Sequence, residues 1–129
     1  MADYPKNLKY TKDHEWARKD GNKVVVGVTF HAQEALGDVV YVELPKVGSA
    51  MTAGKQFGVI ESTKAVSELY APVTGKVTKV NQELTKDPTA VNRDPYQAGW
   101  IVEVEVASGA EVDALMDAST YEQLLAGSK

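Results

Sequence analysis

Short stretches in which apolar and polar residues alternate dominate the first four fifths of the chain. In the segment 100–106, apolar residues at every second position alternate with Glu103 and Glu105, which is typical of a strand with one buried face. Comparable patterns predict strands at 23–30, 39–44, 57–60, 65–70 and 76–80. Many short strands, separated by turns that contain Gly or Pro, favour a mainly β sandwich or barrel over a parallel sheet.

Helices are predicted at few places. Residues 31–36 suit a short helix that follows Thr29 or Phe30 and ends at Gly37, a residue type favoured just beyond a helix. The longest stretch without a regular pattern is 81–96, which contains two prolines. We expect this stretch to wrap the core as an ordered loop.

The C-terminal region has the spacing of two capping boxes, Ser108 with Glu111 and Ser119 with Glu122. This spacing predicts two helices, each beginning at its serine, that cap one end of the β core. We therefore expect a single domain over residues 1–129. Its β core is expected at about 8–106 and its helical cap at about 109–126.

Composition narrows the range of functions. The 129 residues carry a formal net charge of −4 and include no cysteine, which excludes disulfides, thiolate metal sites and a protein thiol as nucleophile. An acidic balance disfavours a nucleic-acid partner, and no apolar run approaches the roughly 20 residues that span a bilayer. Residues 1–6 resemble neither a signal peptide nor a transit peptide, so we expect a cytoplasmic protein of bacterial type without a membrane partner.

The segment 58–72 carries the candidate chemistry. If its two β-like runs pair as a hairpin, Thr63 and Lys64 lie at the tip, and the lysine amine projects into water where a modifying enzyme can reach it. Spacing alone does not separate this hypothesis from an ordinary charged residue that keeps a hairpin soluble. The turn also lacks the Asn-Gly or Asp-Gly pair that favours tight hairpins.

Several short segments decide between these interpretations because they follow one another in a characteristic order. They are YTKDHEW (10–16), GVT (27–29) with AQ (32–33), LGDVVYVELP (36–45), ESTKA (61–65), and a final group of Asn81, Pro88, Val91-Asn92, Asp94-Pro95-Tyr96 and Gly99-Trp100. Through these segments the chain closely resembles the H proteins of the glycine cleavage system. Two departures are Thr63, where the family more often has Val, and Glu68, where Asp is common.

The resemblance implies a lipoyl-domain-like β fold, a barrel-sandwich hybrid with helical additions, and lipoate joined to Lys64 by an amide bond. It implies a carrier and not an enzyme. Its partners would be the glycine decarboxylase (P protein), which loads an aminomethyl group, the aminomethyltransferase (T protein), which unloads it, and the dihydrolipoyl dehydrogenase (L protein), which reoxidises the arm. Enzymes that attach lipoate are further implied partners, and we expect a monomer that forms transient complexes.

The resemblance also implies a role for Glu15, and three further residues near Lys64 are candidates beside it. Glu15, and with it Glu68, is expected to bind the loaded arm in a cleft, although both could be solvated surface acids. Glu61 and Ser62 are expected to serve recognition by the modifying ligase or the structure of the turn. The two histidines show no ligand spacing, so no metal site is predicted. The alternative functions are a protein that relays lipoate to other acceptors and an unmodified β-domain that acts as an interaction scaffold.

Overall fold

Within residues 4–127, nine strands form two antiparallel sheets that share one apolar core. The computed structural model describes residues 4–127, so Met1–Asp3, from which we expected no leader, and residues 128–129 lie outside it. The strands are β1 (Lys9–Tyr10), β2 (Glu15–Asp20), β3 (Lys23–Val28), β4 (Val39–Glu43), β5 (Ala50–Met51), β6 (Gln56–Ser62), β7 (Val66–Tyr70), β8 (Gly75–Val80) and β9 (Val102–Glu105). The larger sheet has the order β1-β2-β3-β9-β8-β5 and the smaller sheet the order β4-β6-β7.

The main core follows from the alternation along the strands. In β3, Val24 and Val26 are fully buried and pair with Val104 and Val102 of β9. The smaller sheet contributes apolar residues such as Ile60 to the same cluster. Because each strand turns every second side chain inward, the opposite face of the smaller sheet remains free to carry polar and functional groups.

Five helices connect and cover the strands among the described residues. They are α1 (Phe30–Leu36), α2 (Glu83–Lys86), α3 (Ala90–Arg93), α4 (Ala110–Asp113) and α5 (Ala118–Gly127). The backbone N–H of Gly37, whose φ is 79°, donates to the carbonyl of Gln33 and ends α1 as the sequence predicts. No helix within residues 4–127 combines the length and apolar character needed to cross a membrane.

The C-terminal helix packs on the other face of the larger sheet and forms a second, aromatic cluster. Tyr10 of β1 and Tyr121 of α5 stack with ring centroids 4.8 Å apart. Trp16 of β2 is fully buried in this cluster, and its indole N–H donates to the carbonyl of Pro95 at 3.0 Å. Gly27 leaves room for this ring, because a Cβ there would lie 2.6 Å from Trp16 Cε2.

Several sequence-based boundaries were wrong. The segment 81–96 is not only a loop, since it contains the short helices α2 and α3. The helix α5 begins at Ala118 and not at Ser119, and the carboxylate of Asp117 accepts the backbone N–H of Thr120. Glu111 does not form a capping box with Ser108. Its carboxylate instead accepts both the N–H and the hydroxyl of Thr74.

Two short strands and one longer strand escaped the sequence analysis. The longer one, β2, has three consecutive buried residues, Glu15, Trp16 and Ala17, followed by one partly buried and two exposed positions. This burial pattern differs from the simple alternation that identifies a strand with one wet face. The segment was identified by its resemblance and not by its periodicity.

Candidate functional site

The predicted hairpin is confirmed, and Lys64 lies at its tip. Strands β6 and β7 pair antiparallel with Glu61 opposite Val66, which leaves Thr63 and Lys64 as the central residues of the connection. The backbone N–H of Ser62 donates to the carbonyl of Ala65 at 2.8 Å and closes the hairpin. The Lys64 side chain is exposed to solvent. The structure therefore presents a primary amine at the end of two paired strands.

The hydroxyl of Ser62 organises this turn. Its oxygen accepts the backbone N–H of Ala65 at 3.1 Å and, at 3.3 Å, that of Lys64. Neither Thr63 nor Lys64 has a positive φ, so the turn is not of the type that requires Asn-Gly. A serine side chain that hydrogen-bonds the following backbone performs the same closing role. Of the two expected roles of Ser62, its contacts match the structural one.

A second segment supports the hairpin tip from the side. The backbone N–H of Thr63 donates to the carbonyl of Asp38 at 3.1 Å, just beyond the end of α1. The Lys64 side chain passes over Gly37, where a Cβ would meet Lys64 Cε at 3.3 Å. The absence of a side chain at Gly37 therefore gives the lysine a close path along the end of the helix.

Asn92 of α3 fixes the segment on which the hairpin tip rests. Its amide group donates to the carbonyl of Gly37 at 2.8 Å and to Gln33 Oε1 at 3.1 Å. Its carbonyl oxygen accepts the backbone N–H of Val39 at 2.9 Å. One side chain thus joins the end of α1 to the start of β4, on either side of Asp38.

A cleft of about 260 Å³ opens between α1, β7 and the segment that leads into β2. Its lining is Asp13, His14, Glu15, Val28, His31, Ala32, Ala35, Leu36, Ser67, Glu68 and Leu69. Leu36 lines the cleft, and the Lys64 side chain lies against the next residue, Gly37. The Lys64 side chain therefore lies against the residue that follows the cleft lining at the end of α1, and small side chains on α1 form part of the cleft wall.

Glu15 is the most deeply buried acid of the cleft, with 2% of its surface exposed. The Thr11 hydroxyl donates to Oε1 at 2.7 Å, and the Tyr70 backbone N–H donates to Oε2 at 3.1 Å. The Thr11 oxygen itself accepts the backbone N–H of Glu15, so its only proton is directed to the carboxylate. Burial raises the pKa of Glu15 to about 8, although both hydrogen bonds favour the ionised form.

Glu68 lines the same cleft from β7 but remains exposed. The Tyr70 hydroxyl donates to Glu68 Oε1 at 2.6 Å, and this bond raises the pKa of the Tyr70 phenol. The structure thus brings Glu15 and Glu68 to one cleft, while their binding of the arm stays a prediction. Glu61 lies elsewhere, in the middle strand of the smaller sheet.

Two histidines face each other in the lining of the cleft. The rings of His14 and His31 have centroids 4.7 Å apart. Burial and the neighbouring His31 ring lower the pKa of His14, which favours its neutral form. His14 Nδ1 lies 2.7 Å from the Tyr121 hydroxyl, which also lies 2.8 Å from Thr29 Oγ1 at the beginning of α1. The C-terminal helix is therefore connected to two walls of the cleft.

The chemistry of this cleft suits a bound cation. The pKa of the His14 imidazole is lowered, while Asp13, Glu15 and Glu68 are carboxyl groups. A buried carboxyl near its pKa ionises when an ammonium group comes into contact, because the opposite charge offsets the cost of burial. Within residues 4–127, no three His, Cys, Asp or Glu side chains are arranged to hold a metal ion.

Sequence analysis missed the residues that hold this site together. Thr11 and Asn92 belong to the motifs that carried the resemblance but were assigned no role, and Gly37 was assigned only the end of α1. The contacts of Gly37 and Asn92 join segments that are distant in sequence, since Asn92 and Val39 are separated by 53 positions. Only the position of Thr11, four residues before Glu15, was a local signal for a hydrogen bond between these two side chains.

Comparisons with known proteins agree on one family. The family model described as "Glycine cleavage H-protein" matches residues 8–128. The glycine cleavage system H protein of Myxococcus xanthus is 68% identical over 129 residues, which cover 99% of this chain and all of that protein. The mitochondrial glycine cleavage system H protein 2 of Arabidopsis thaliana is 53% identical over 116 residues, 90% of this chain and 74% of that protein.

A solved structure supports the same relationship. The crystal structure of a glycine cleavage system H protein from Mycobacterium marinum superimposes with a TM-score of 0.88 at 41% sequence identity. The match covers 95% of this chain and 99% of that chain. The predicted fold class, mainly β with a short helix near 31–36 and C-terminal helices, is confirmed.

Proposed function

The chain belongs to the glycine cleavage H-protein family, and from this premise we propose that it carries the aminomethyl group of glycine on a lipoyl group joined to Lys64. As a member of this family it is a carrier component and not an enzyme. The observation that carries the proposal is the exposed Lys64 side chain at the tip of a closed hairpin. A modifying enzyme must surround this amine, and the tip leaves it accessible.

Attachment requires that the Lys64 amine act as a nucleophile. The deprotonated Nζ attacks the carbonyl carbon of an activated lipoyl group such as lipoyl adenylate. An amide C–N bond forms, AMP leaves, and the nitrogen gives a proton to solvent. The two paired strands fix the position of the backbone at Lys64, while the side chain and the lipoyl group supply reach.

The surroundings of Lys64 fit a long apolar arm. The Lys64 side chain passes over Gly37, the residue after Leu36, and the cleft wall includes Ala32, Ala35 and Leu36 of α1. The lipoyl group would supply, when bound, a redox-active disulfide whose reduced form has a sulfur that can hold the one-carbon cargo. The chain contains no cysteine, so no thiol of its own competes in thiol–disulfide exchange.

Glu15 is proposed to bind the protonated amine of the cargo. Its carboxyl group is buried, both oxygens already accept hydrogen bonds, and burial keeps its pKa near 8. A docked ammonium group would take the place of the proton and form a charge-assisted contact. Glu68, at the rim of the same cleft, would provide a second and more exposed acceptor. Closing the cargo into the cleft would shield it from water.

The partners follow from this role. We propose that the arm meets the glycine decarboxylase (P protein), the aminomethyltransferase (T protein) and the dihydrolipoyl dehydrogenase (L protein) in succession. The curated relatives include the bacterial protein from Myxococcus xanthus, and we propose a bacterial cytoplasmic location for this chain. A carrier that visits several enzymes must bind each one weakly enough to leave.

The experiment that tests this function compares the parent chain with Lys64→Arg. The substitution keeps the positive charge at an exposed position, so the free energy of unfolding should change by less than about 0.5 kcal/mol. Lipoylation and glycine-dependent exchange of carbon dioxide with the decarboxylase should both be lost, in the absence of free lipoate. Exchange at the parent rate would contradict the assignment of Lys64.

A further inference from the structure

The outer face of the smaller sheet carries a row of three side chains beside Lys64. We propose that this row, Tyr41, Glu61 and Val66, is the surface on which the enzyme that acylates Lys64 binds. The inference rests on the proposed function, because it names a partner of the same lysine. It adds two apolar residues, Tyr41 and Val66, for which no such role was predicted from the sequence.

Strand register places the row. Tyr41 of β4 pairs with Glu61 of β6, and Glu61 pairs with Val66 of β7. Residues paired in this way point to the same face of a sheet. The neighbouring residues Val42 and Ile60 are buried in the core, so the row lies on the opposite, outward face. Val66 lies only two residues beyond Lys64 along the chain.

The two apolar members of the row are unusually accessible. Val66 exposes 67% of its surface and Tyr41 exposes 49%. Val40, the neighbour of Tyr41 at an irregularity in β4, exposes a further 52%. Exposed apolar side chains grouped at one place, and not scattered singly, are typical of a surface that another protein covers.

Acidic groups surround the apolar members of the row. Glu61 lies between Tyr41 and Val66. In the next row on the same face, Val59 lies between Glu43 and Glu68. A complementary partner therefore presents an apolar contact framed by basic side chains. An apolar centre with a charged rim is also the usual anatomy of a specific protein interface.

Reach identifies the modifying enzyme as the occupant. Before modification, Lys64 offers only its own four-carbon stem, so the acylating enzyme must bring its active site down to the hairpin tip. An enzyme in that position covers the strands that flank the tip, including Val66 and the row beside it. Enzymes that act on the finished arm meet a much longer group, which can enter their active sites without close coverage of the sheet.

The test uses three single variants of the full chain, Tyr41→Thr, Val66→Thr and, as a control, Leu124→Gln. Threonine suits a strand, and Leu124 is an exposed apolar residue on α5, outside the row. Each unmodified protein is incubated with lipoate, ATP and a lipoate–protein ligase, and the mass gain is followed with time. Far-ultraviolet circular dichroism and thermal unfolding verify that the variants are folded.

The inference predicts that each row variant lowers kcat/KM for modification about tenfold, mainly through a higher KM, while Leu124→Gln is unchanged. Once fully modified, the row variants should support decarboxylase exchange at the parent rate. Modification at the parent rate would overturn the inference. Normal modification with slower exchange would also overturn it and assign the face to an enzyme of the cycle. A parent chain that gains no mass would refute the proposed function itself, and the inference with it.

Discussion

Glu15 combines two opposing influences at the scale of a single residue. Burial disfavours its charge, whereas the Thr11 hydroxyl and the Tyr70 backbone N–H favour it. With a pKa of about 8, the carboxyl is mostly protonated at neutral pH until a cation binds. The ionisation of such a group changes more when a positively charged cargo binds than that of an exposed acid, which is already ionised.

Glu15→Gln should alter how stability depends on pH. Because the pKa of about 8 in the folded protein lies above the ordinary glutamate pKa of 4.5, the folded parent binds more protons between these values and loses stability as pH rises. Glutamine cannot titrate, so the variant should become progressively more stable relative to the parent from pH 5 to pH 8. Urea unfolding of both proteins across this range measures the difference. A constant difference would show that Glu15 titrates normally.

Glu15→Gln should also shorten the lifetime of the loaded protein, because glutamine offers no charge to an ammonium group. The loss should be larger at pH 8 than at pH 6, since the parent carboxyl must release its proton before it can bind the cation. The measurement is the release of labelled cargo from isolated, loaded protein.

Glu68→Gln is the matched comparison, because Glu68 lines the same cleft but is exposed. We expect it to shorten the lifetime less than Glu15→Gln does, since a screened surface charge contributes less to binding. Equal lifetimes for the parent and Glu15→Gln would remove Glu15 from the docking role.

At the scale of elements, the position of Lys64 depends on segments that are far apart in sequence. The hairpin fixes one side of the tip, and the link between α1 and β4 supports the other through Asp38. Asn92 in turn holds this link with hydrogen bonds to Gly37 and Val39. The short helix α3 is therefore part of the site, although no residue of α3 lines the cleft.

Asn92→Ala should loosen this support. It removes three hydrogen bonds from a partly buried network, and we expect a loss of about 1–3 kcal/mol in the free energy of unfolding. Hydrogen exchange should become faster at the backbone N–H of Val39, which loses its acceptor, and of Thr63, which rests on Asp38. Arg93→Ala is the control, since that neighbour forms an exposed ion pair with Asp87. Unchanged hydrogen exchange at Thr63 would show that the hairpin tip keeps its structure without support from Asn92.

At this scale, the elements that could be predicted are those with a signal in their own local sequence. The hairpin and α1 follow from alternation and from a terminal glycine. Strand β2 was missed because three consecutive residues are buried, two of them by the aromatic cluster and by the cleft. The capping of α5 was misplaced because Asp117 and Ser119 are both good caps and only the tertiary contacts decide between them. The contacts of Asn92 had no local signal.

In the proposed function, the whole molecule serves as a base that positions one mobile arm. The two sheets and the aromatic cluster hold the hairpin and the cleft in a fixed relation. A formal net charge of −4 favours encounters with basic surfaces at low ionic strength without requiring tight binding. These properties suit a protein that moves among several enzymes.

We therefore expect a monomer whose complexes are weak and sensitive to salt. Light scattering at micromolar concentration should give a molecular mass near 14.0 kDa. Raising the ionic strength should raise the KM of each partner enzyme for the carrier, because salt screens charges between exposed groups. A stable dimer under these conditions would contradict the expectation.

The most direct test of the central claim is the intact mass of the protein after expression with lipoate and its attaching enzymes. We predict a mass higher than that of the bare chain by one lipoyl group, with fragmentation locating the group on Lys64, and no such gain in Lys64→Arg. The bare mass for the parent chain, or a lipoyl group on a different lysine, would contradict the account.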